Sequence, residues 1–177
     1  MKTLYLDCSM GAAGDILTAA LLELFPNPDD ILYKLNTIGI PHVVYQPMPS
    51  TKCGITGTHM RVTVDGCEEG SHHRHHSGLK DIAHIISQLN LSERVKTDAL
   101  AVYNLIAEAE SHVHGVPVEH IHFHEVGALD AVADVAAVCL LMELLAPEQV
   151  LCTPIHVGSG QVKCTHGTLP VPAPATA

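Results

Sequence analysis

Residues 4–24 read LYLDCSMGAAGDILTAALLEL, and this stretch indicates how the fold begins. Its first five residues are mostly apolar and have the length of a short strand. Gly11 and Gly14 then bound a turn, after which apolar residues recur every three or four positions, as on one face of a helix. The chain is therefore predicted to open with a strand, a glycine turn and a helix.

Beyond Leu24 the chain alternates between helical and extended patterns. These patterns predict a short helix at residues 31–39, a β-hairpin at 42–65 and two amphipathic helices at 79–89 and 95–113. They also predict an extended histidine segment at 119–125, a buried helix at 128–146 and a last strand at 150–157. The order β-α-α-β-β-α-α-(β)-α-β contains the split β-α-β-β-α-β plan. We therefore predict a two-layer α+β fold of this type with extra helices.

The length of 177 residues, 47% of them hydrophobic, fits one domain of ordinary size. We assign residues 1–168 to this domain, with a mobile histidine-rich loop at residues 66–78. Residues 169–177 alternate proline with small residues, which predicts an extended linker. Because such linkers lie at domain boundaries, we expect a further C-terminal domain beyond it.

The charge balance excludes several partner classes. The chain has 9 Lys and Arg against 19 Asp and Glu, a formal net charge of −10, which argues against nucleic acid and anionic membranes as partners. Its 6 cysteines include no C-x-x-C pair, which argues against a disulfide framework and a zinc ribbon. No segment is typical of a signal peptide or a transmembrane helix. We therefore expect a cytoplasmic protein with reduced thiols.

Histidine accounts for 14 of the 177 residues, well above its ordinary share, and most of it lies in two internal patches. In the first patch three histidines are spaced by two residues, so their imidazoles share one face of an extended chain. Asp130 and Asp134 follow it, four apart on one helical face. The candidate metal ligands of this patch are His112, His114, His120, His122, His124 and Glu125. Mixed imidazole and carboxylate ligands suit nickel, zinc, copper or iron; a solvated edge strand with two helix caps is the alternative.

The second patch is denser but lies in the predicted mobile loop. Its candidate metal ligands are His72, His73, His75 and His76. A loop must be ordered before it can chelate a metal, and the lost conformational entropy opposes binding. We predict loose metal capture for this patch, with a solvated loop as the alternative.

Two glycine-containing segments are candidates for cofactor binding. In the first, Gly11 and Gly14 precede a helix, whose free amides and positive end can hold a phosphate. The carboxylates of Asp7 and Asp15 could instead hold a hard cation, and Asp15 could simply interact with the helix dipole. The second segment follows the last predicted strand, where binding loops are common. Its candidates are Gly158, Ser159, Gly160, Lys163 and His166, with two ordinary turns as the alternative.

Three longer motifs resemble one known family. They are Gly11-x-x-Gly14-Asp15, the run from Ala109-Glu-x-x-Val-His114-Gly115 to His122-Phe-His-Glu-Val-Gly-Ala-x-Asp130, and Gly158-Ser-Gly-x-Val-Lys-Cys-x-His166 with the Pro-Ala tail. On these motifs the sequence is similar to the N-terminal region of the LarC family over nearly its whole length. Members of that family are nickel-insertion enzymes of the nickel-pincer nucleotide pathway.

The resemblance implies a cyclometallase. Such an enzyme places Ni(II) in pyridinium-3,5-bisthiocarboxylic acid mononucleotide, forming nickel–sulfur bonds and a nickel–carbon bond in the cofactor of lactate racemase. It also implies dependence on CTP with Mg or Mn, through a C-terminal domain that is fused or supplied as a separate chain, and a homo-oligomer is a further expectation. A carboxylate or histidine must accept the proton lost when carbon is metallated, and we predict Asp15 and Asp130 as the catalytic carboxylates.

Two other function classes stay open on the sequence alone. A nickel or zinc storage protein or metallochaperone would explain the histidines without catalysis, and it predicts several metals per chain and no nucleotide binding. A metal-dependent hydrolase would explain the His, Asp and Glu clusters differently, and it predicts a hydrolysis product without metal transfer.

Overall fold

The apolar segment after Ala128 forms the central helix in the computed structural model, which describes residues 1–67, 77–123, 126–164 and 167–177. The helices are α1 Gly14–Leu22, α2 Pro28–Leu35, α3 Leu79–Gln88, α4 Glu93–His114 and α5 Leu129–Leu145. The strands are β1 Thr3–Leu6, β2 Val43–Lys52, β3 Ile55–Val64, β4 Ser77–Gly78, β5 His122–Phe123, β6 Gln149–Cys152, β7 Gly160–Cys164 and β8 Gly167–Val171. All five predicted helices are confirmed. Within the described residues, each helix is too short or too polar to cross a membrane.

Helix α5 is apolar around most of its circumference, which is typical of a helix that is covered on several sides. Its buried residues are Val132, Ala133, Ala136, Ala137, Leu140, Leu141 and Leu145. The helix packs against α1, α3, α4 and the β2–β3 hairpin. Because three of its buried residues are alanines, neighbouring elements can approach its backbone closely.

Among the described residues, the eight strands form four separate two-stranded sheets. Strands β1 and β6 pair in parallel, whereas β2–β3, β4–β5 and β7–β8 are antiparallel pairs. The α+β class and the order of the predicted elements are confirmed. The strand pairing differs from the split plan, however, because the strands do not join into one sheet.

Two prolines explain why β2 does not lie inside a larger sheet. Pro47 and Pro49 lack an amide hydrogen, and proline is tolerated in strands only at sheet edges, strand starts or bulges. The hairpin instead contributes the buried side chains of Tyr45 and Met60 to the main core. It therefore packs on α1 and α5 and stays outside the β1–β6 sheet.

A second difference lies near the end of the chain. Strands β7 and β8 form a hairpin, where the sequence predicts a binding loop, or alternatively two turns, followed by an extended tail. Leu169 pairs with Val162 and Pro170 pairs with Gln161. The first residues of the predicted linker 169–177 therefore belong to a strand, and the domain boundary itself stays a prediction.

Cys139 on α5 is expected to be an unreactive thiol. Burial raises the pKa of this thiol from 9.0 to about 11, and the carboxylate of Asp98 adds to the increase. Because the thiolate is the nucleophile, an increase of two pKa units lowers the reactive fraction at pH 8 about hundredfold. Iodoacetamide at pH 8, followed by peptide mass mapping, should label the exposed Cys152 long before Cys139. Equal labelling rates would contradict the burial of Cys139.

Candidate functional site

The two candidate glycine segments meet at one edge of the β1–β6 sheet. Because these strands are parallel, their carboxyl ends lie at the same edge, where ligands of α/β sheets commonly bind. The Cys8 N–H donates to Thr153 Oγ1 at 2.8 Å, and the His156 N–H donates to Cys8 O at 3.0 Å. Gly11 has φ +102°, and a Cβ there would lie 3.7 Å from His156 O. The structure therefore brings the first glycine turn beside the start of the second segment.

Gly14 places the start of α1 directly against Asp134 of α5. A Cβ atom at Gly14 would lie 2.4 Å from Cβ and 2.9 Å from Oδ2 of Asp134, which is too close for any side chain. Glycine is therefore required where the two helices meet. The sequence shows Asp134 only through its four-residue spacing from Asp130, and no pattern in the sequence indicates the contact with Gly14.

The two carboxylates predicted to be catalytic lie in the first turns of α1 and α5. Asp15 Oδ1 accepts a hydrogen bond from the Ile16 N–H at 2.8 Å, and Asp130 Oδ1 accepts one from the Ala131 N–H at 2.8 Å. Both side chains are half-buried. A carboxylate in this position interacts favourably with the helix dipole, which accounts for a structural role by itself. The catalytic role of Asp15 and Asp130 stays a prediction.

Four amides of the first glycine turn and of the first turn of α1 donate to acceptors in the same segment. The N–H groups of Ser9, Gly11, Ile16 and Leu17 donate to Asp7 Oδ1, Cys8 O, Asp15 Oδ1 and Ala13 O, at 2.8 to 3.0 Å. Hydrogen bonds from the Ser9 hydroxyl and amide lower the pKa of Asp7, so this carboxylate stays ionised to lower pH than usual. The carboxylates of Asp7 and Asp15 beside this turn would repel the triphosphate of CTP. They favour the alternative prediction of a divalent cation near this turn.

The second glycine segment keeps its polar side chains accessible. The Gly158 N–H donates to His156 Nδ1 at 3.2 Å, and a Cβ at Gly158 would lie 2.9 Å from Val171 Cγ1 on β8. This loop is therefore packed on the β7–β8 hairpin. Ser159 and Lys163 are exposed and available to a ligand. Gly160 begins β7, and His166 lies outside the described residues.

The histidine row begins in a turn and continues in an extended segment. Ile121 and Phe123 are buried and His122 between them is exposed, which confirms the alternation of an extended segment. His120, however, ends a 3-10 turn, Val118–His120, and its N–H donates to Pro117 O at 2.9 Å. The extended conformation on which the shared face depends therefore begins after His120, and the shared face of the three imidazoles stays a prediction. His124 and Glu125 lie outside the described residues.

The remaining predicted metal ligands are not gathered by the described part of the chain. His112 and His114 end α4 two positions apart, which on a helix places them about 200° apart. His114 Nε2 lies 3.3 Å from Glu110 Oε2, and His112 is exposed. Residues 72–76, with four predicted ligands, are outside the description. Within residues 1–67, 77–123, 126–164 and 167–177, no three His, Cys, Asp or Glu side chains are placed to hold one metal ion.

Tyr103 holds both ends of the segment that bears the predicted ligands His124 and Glu125. Its ring packs against Phe123 with the centroids 5.8 Å apart, and its hydroxyl donates to Val126 O at 3.1 Å. Burial and then two nearby carboxylates, the first being Asp130, raise the pKa of Tyr103 above its usual range. Sequence reasoning missed this residue because a tyrosine at a buried helical position has the same pattern as any core residue.

Comparison with known proteins identifies the chain. A family model described as nickel insertion protein matches residues 4–177. The chain belongs to this nickel insertion protein family. The resemblance found in the sequence is therefore confirmed. No solved structure matches the chain.

Three curated relatives show the extent of the match. A pyridinium-3,5-bisthiocarboxylic acid mononucleotide nickel insertion protein of Akkermansia muciniphila is 41% identical over 183 residues, covering 100% of this chain and 44% of that protein. A putative nickel insertion protein of Dictyoglomus thermophilum is 39% identical, and the match covers 99% of this chain and 44% of that protein. A protein of Geobacillus kaustophilus that has the same name as the first relative is 38% identical, and the match covers 99% of this chain and 44% of that protein. The chain therefore spans less than half the length of these nickel insertion proteins.

Proposed function

We propose that this chain acts in the insertion of Ni(II) into pyridinium-3,5-bisthiocarboxylic acid mononucleotide, as the nickel-holding portion of a longer cyclometallase. The observation that supports this most directly is the match over residues 4–177 to nickel insertion proteins, one of them 41% identical and named for this substrate. The length of those relatives supports a contribution from a further portion of the protein. Nickel is the cargo of this reaction and leaves with the product.

The chemistry of the side chains suits such a transfer. Imidazole and carboxylate ligands bind nickel firmly, yet they yield it to thiocarboxylate sulfurs more readily than a thiolate cage would. In the proposed reaction Ni(II) bonds to two sulfurs and replaces a proton on a ring carbon. That proton must pass to a base, for which Asp15 and Asp130 are our candidates. The exposed Ser159 and Lys163 are the candidates for contacts with the substrate phosphate.

We assign CTP to the portion of the protein beyond the match. The carboxylates of Asp7 and Asp15 flank the first glycine turn and would repel a triphosphate there. When bound elsewhere with Mg or Mn, CTP would supply activation of the substrate. The carboxylates of this chain would then serve nickel transfer and proton acceptance alone.

Mass spectrometry of the substrate nucleotide tests the proposal. Nickel-loaded residues 1–177 are incubated with the nucleotide, with and without CTP and Mg, and with and without the remaining portion of the Akkermansia muciniphila relative. We expect a nickel-containing nucleotide only when nickel, CTP and the remaining portion are all present. Product from residues 1–177 alone would assign the whole reaction to this chain.

The same experiment separates the other function classes. Several bound nickel or zinc ions with no product in any reaction would indicate a storage protein or metallochaperone. A hydrolysis product of the nucleotide without nickel in it would indicate a metal-dependent hydrolase. Zinc-loaded protein is the matched control and should give no metal-containing product.

A further inference from the structure

Helix α1 begins without a capping side chain of its own. Its N-cap residue is Ala13, and no side-chain hydrogen bond caps this end. The first amides of a helix and its dipole leave a partial positive charge at such an end. The carboxylate of Asp134, which α5 supplies, lies against Gly14 at this place. A negative group from another helix thus meets the positive end of α1.

The space at Gly14 fits the side chain of Asp134 closely. A Cβ at Gly14 would lie 2.4, 2.8 and 2.9 Å from Cβ, Cγ and Oδ2 of Asp134. Three atoms of one carboxylate side chain therefore occupy the volume that any other residue at position 14 would need. Asp134 cannot leave this position unless α1 and α5 change their contact.

Contacts lead from this position to the other candidate segments. On one side, the turn before Gly14 reaches the second glycine segment, because Gly11 approaches the carbonyl of His156. On the other side, the start of α5 is anchored by the hydroxyl of Tyr45, which donates to Ala133 O at 2.7 Å. The histidine segment leads directly into this helix. The contact between Gly14 and Asp134 is thus where the two halves of the candidate site join.

We propose that Asp134 is a positioning residue that ties the start of α5, and with it the histidine segment, to the glycine turn of α1. This inference rests on the proposed function, in which this chain holds nickel and the second glycine segment contacts the substrate phosphate. With Asp134 in place, the start of α5 and the glycine turn of α1 keep one geometry before the ligands bind. Preorganisation of this kind reduces the ordering that binding requires.

Three variants test the proposal by nickel calorimetry and thermal unfolding. Asp134→Asn keeps the shape and removes the charge, so nickel should bind about tenfold more weakly at a nearly unchanged melting temperature. Gly14→Ala should lower both quantities, because the added Cβ displaces the carboxylate. The exchange variant Gly14→Ala/Asp134→Gly restores the space, so it should melt above Gly14→Ala while nickel affinity stays low. Asp29→Asn, an exposed first-turn carboxylate of α2, is the matched control and should bind as wild type.

Wild-type nickel affinity in Asp134→Asn, or recovered affinity in the exchange variant, would overturn the inference and leave Asp134 a packing residue. Mass spectrometry of the nucleotide, with nickel, CTP, Mg and the remaining portion of the relative all present, distinguishes failure of the positioning role from failure of the proposed function. If wild type forms no nickel-containing nucleotide while Asp134→Asn binds nickel weakly, the proposed function fails and the positioning role stands. If wild type and Asp134→Asn form product equally, the positioning role fails. If Asp134→Asn does not fold, the nickel affinity of the exchange variant decides. Low affinity supports the positioning role, and recovered affinity overturns it.

Discussion

Replacing Tyr45 by alanine is expected to lower the free energy of unfolding by about 3–5 kcal/mol, the usual cost of emptying a large aromatic site in a core. The Tyr45 side chain on β2 is 2% exposed, and its hydroxyl donates to Ala133 O of α5 at 2.7 Å. The substitution removes both the ring and the hydrogen bond that join the hairpin to the central helix. Urea unfolding followed by circular dichroism measures the change.

Two further variants separate the contributions of the ring and the hydroxyl. Tyr45→Phe keeps the ring and should cost about 1 kcal/mol for the lost hydrogen bond. Tyr33→Ala on α2, where the side chain is 71% exposed, should change the free energy of unfolding by less than about 0.5 kcal/mol. If Tyr45→Ala were as mild as Tyr33→Ala, the hairpin would not be packed on α5 as described.

The double variant His122→Ala/His124→Ala is expected to lose the tight nickel equivalent measured by titration calorimetry. The sequence predicts these imidazoles as nickel ligands, and removing two ligands from one site leaves too few donors to hold the ion. His122 is exposed between the buried Ile121 and Phe123, so its substitution leaves the core intact. The metal-free single variant His122→Ala should therefore melt close to wild type.

Two comparisons distinguish tight nickel binding at the histidine row from unspecific nickel binding to other histidines of the chain. Removal of residues 72–76 should abolish only weaker nickel equivalents, because a loop without fixed geometry chelates loosely. His84→Ala removes an exposed imidazole from α3 and should leave the tight equivalent unchanged. Equal losses in the row variant and the loop variant would refute the assignment of the tight site to the row.

Two differences between the predicted and observed structure, the separate β2–β3 hairpin and the turn before the histidine row, are indicated by nearby prolines. Pro47 and Pro49 in β2 already argue for an edge strand, and Pro117 argues for a turn before the histidine row. The helices were predicted because their signals are local as well. In α4, for example, the Ser92 side chain accepts a hydrogen bond from the Val95 N–H, and Gly115 ends the helix with φ +66°.

The sequence by itself determined the five helices, the β2–β3 hairpin, the glycine turn and the family, because each depends on neighbouring residues or on contiguous motifs. Only the tertiary structure decided that β1 pairs with β6 and that Gly14 adjoins Asp134. These contacts join segments from opposite ends of the chain. Their formation depends on how the surfaces of distant elements fit around α5. A sequence periodicity of two or 3.6 residues shows which face of a strand or helix is buried, but it does not show which element covers that face.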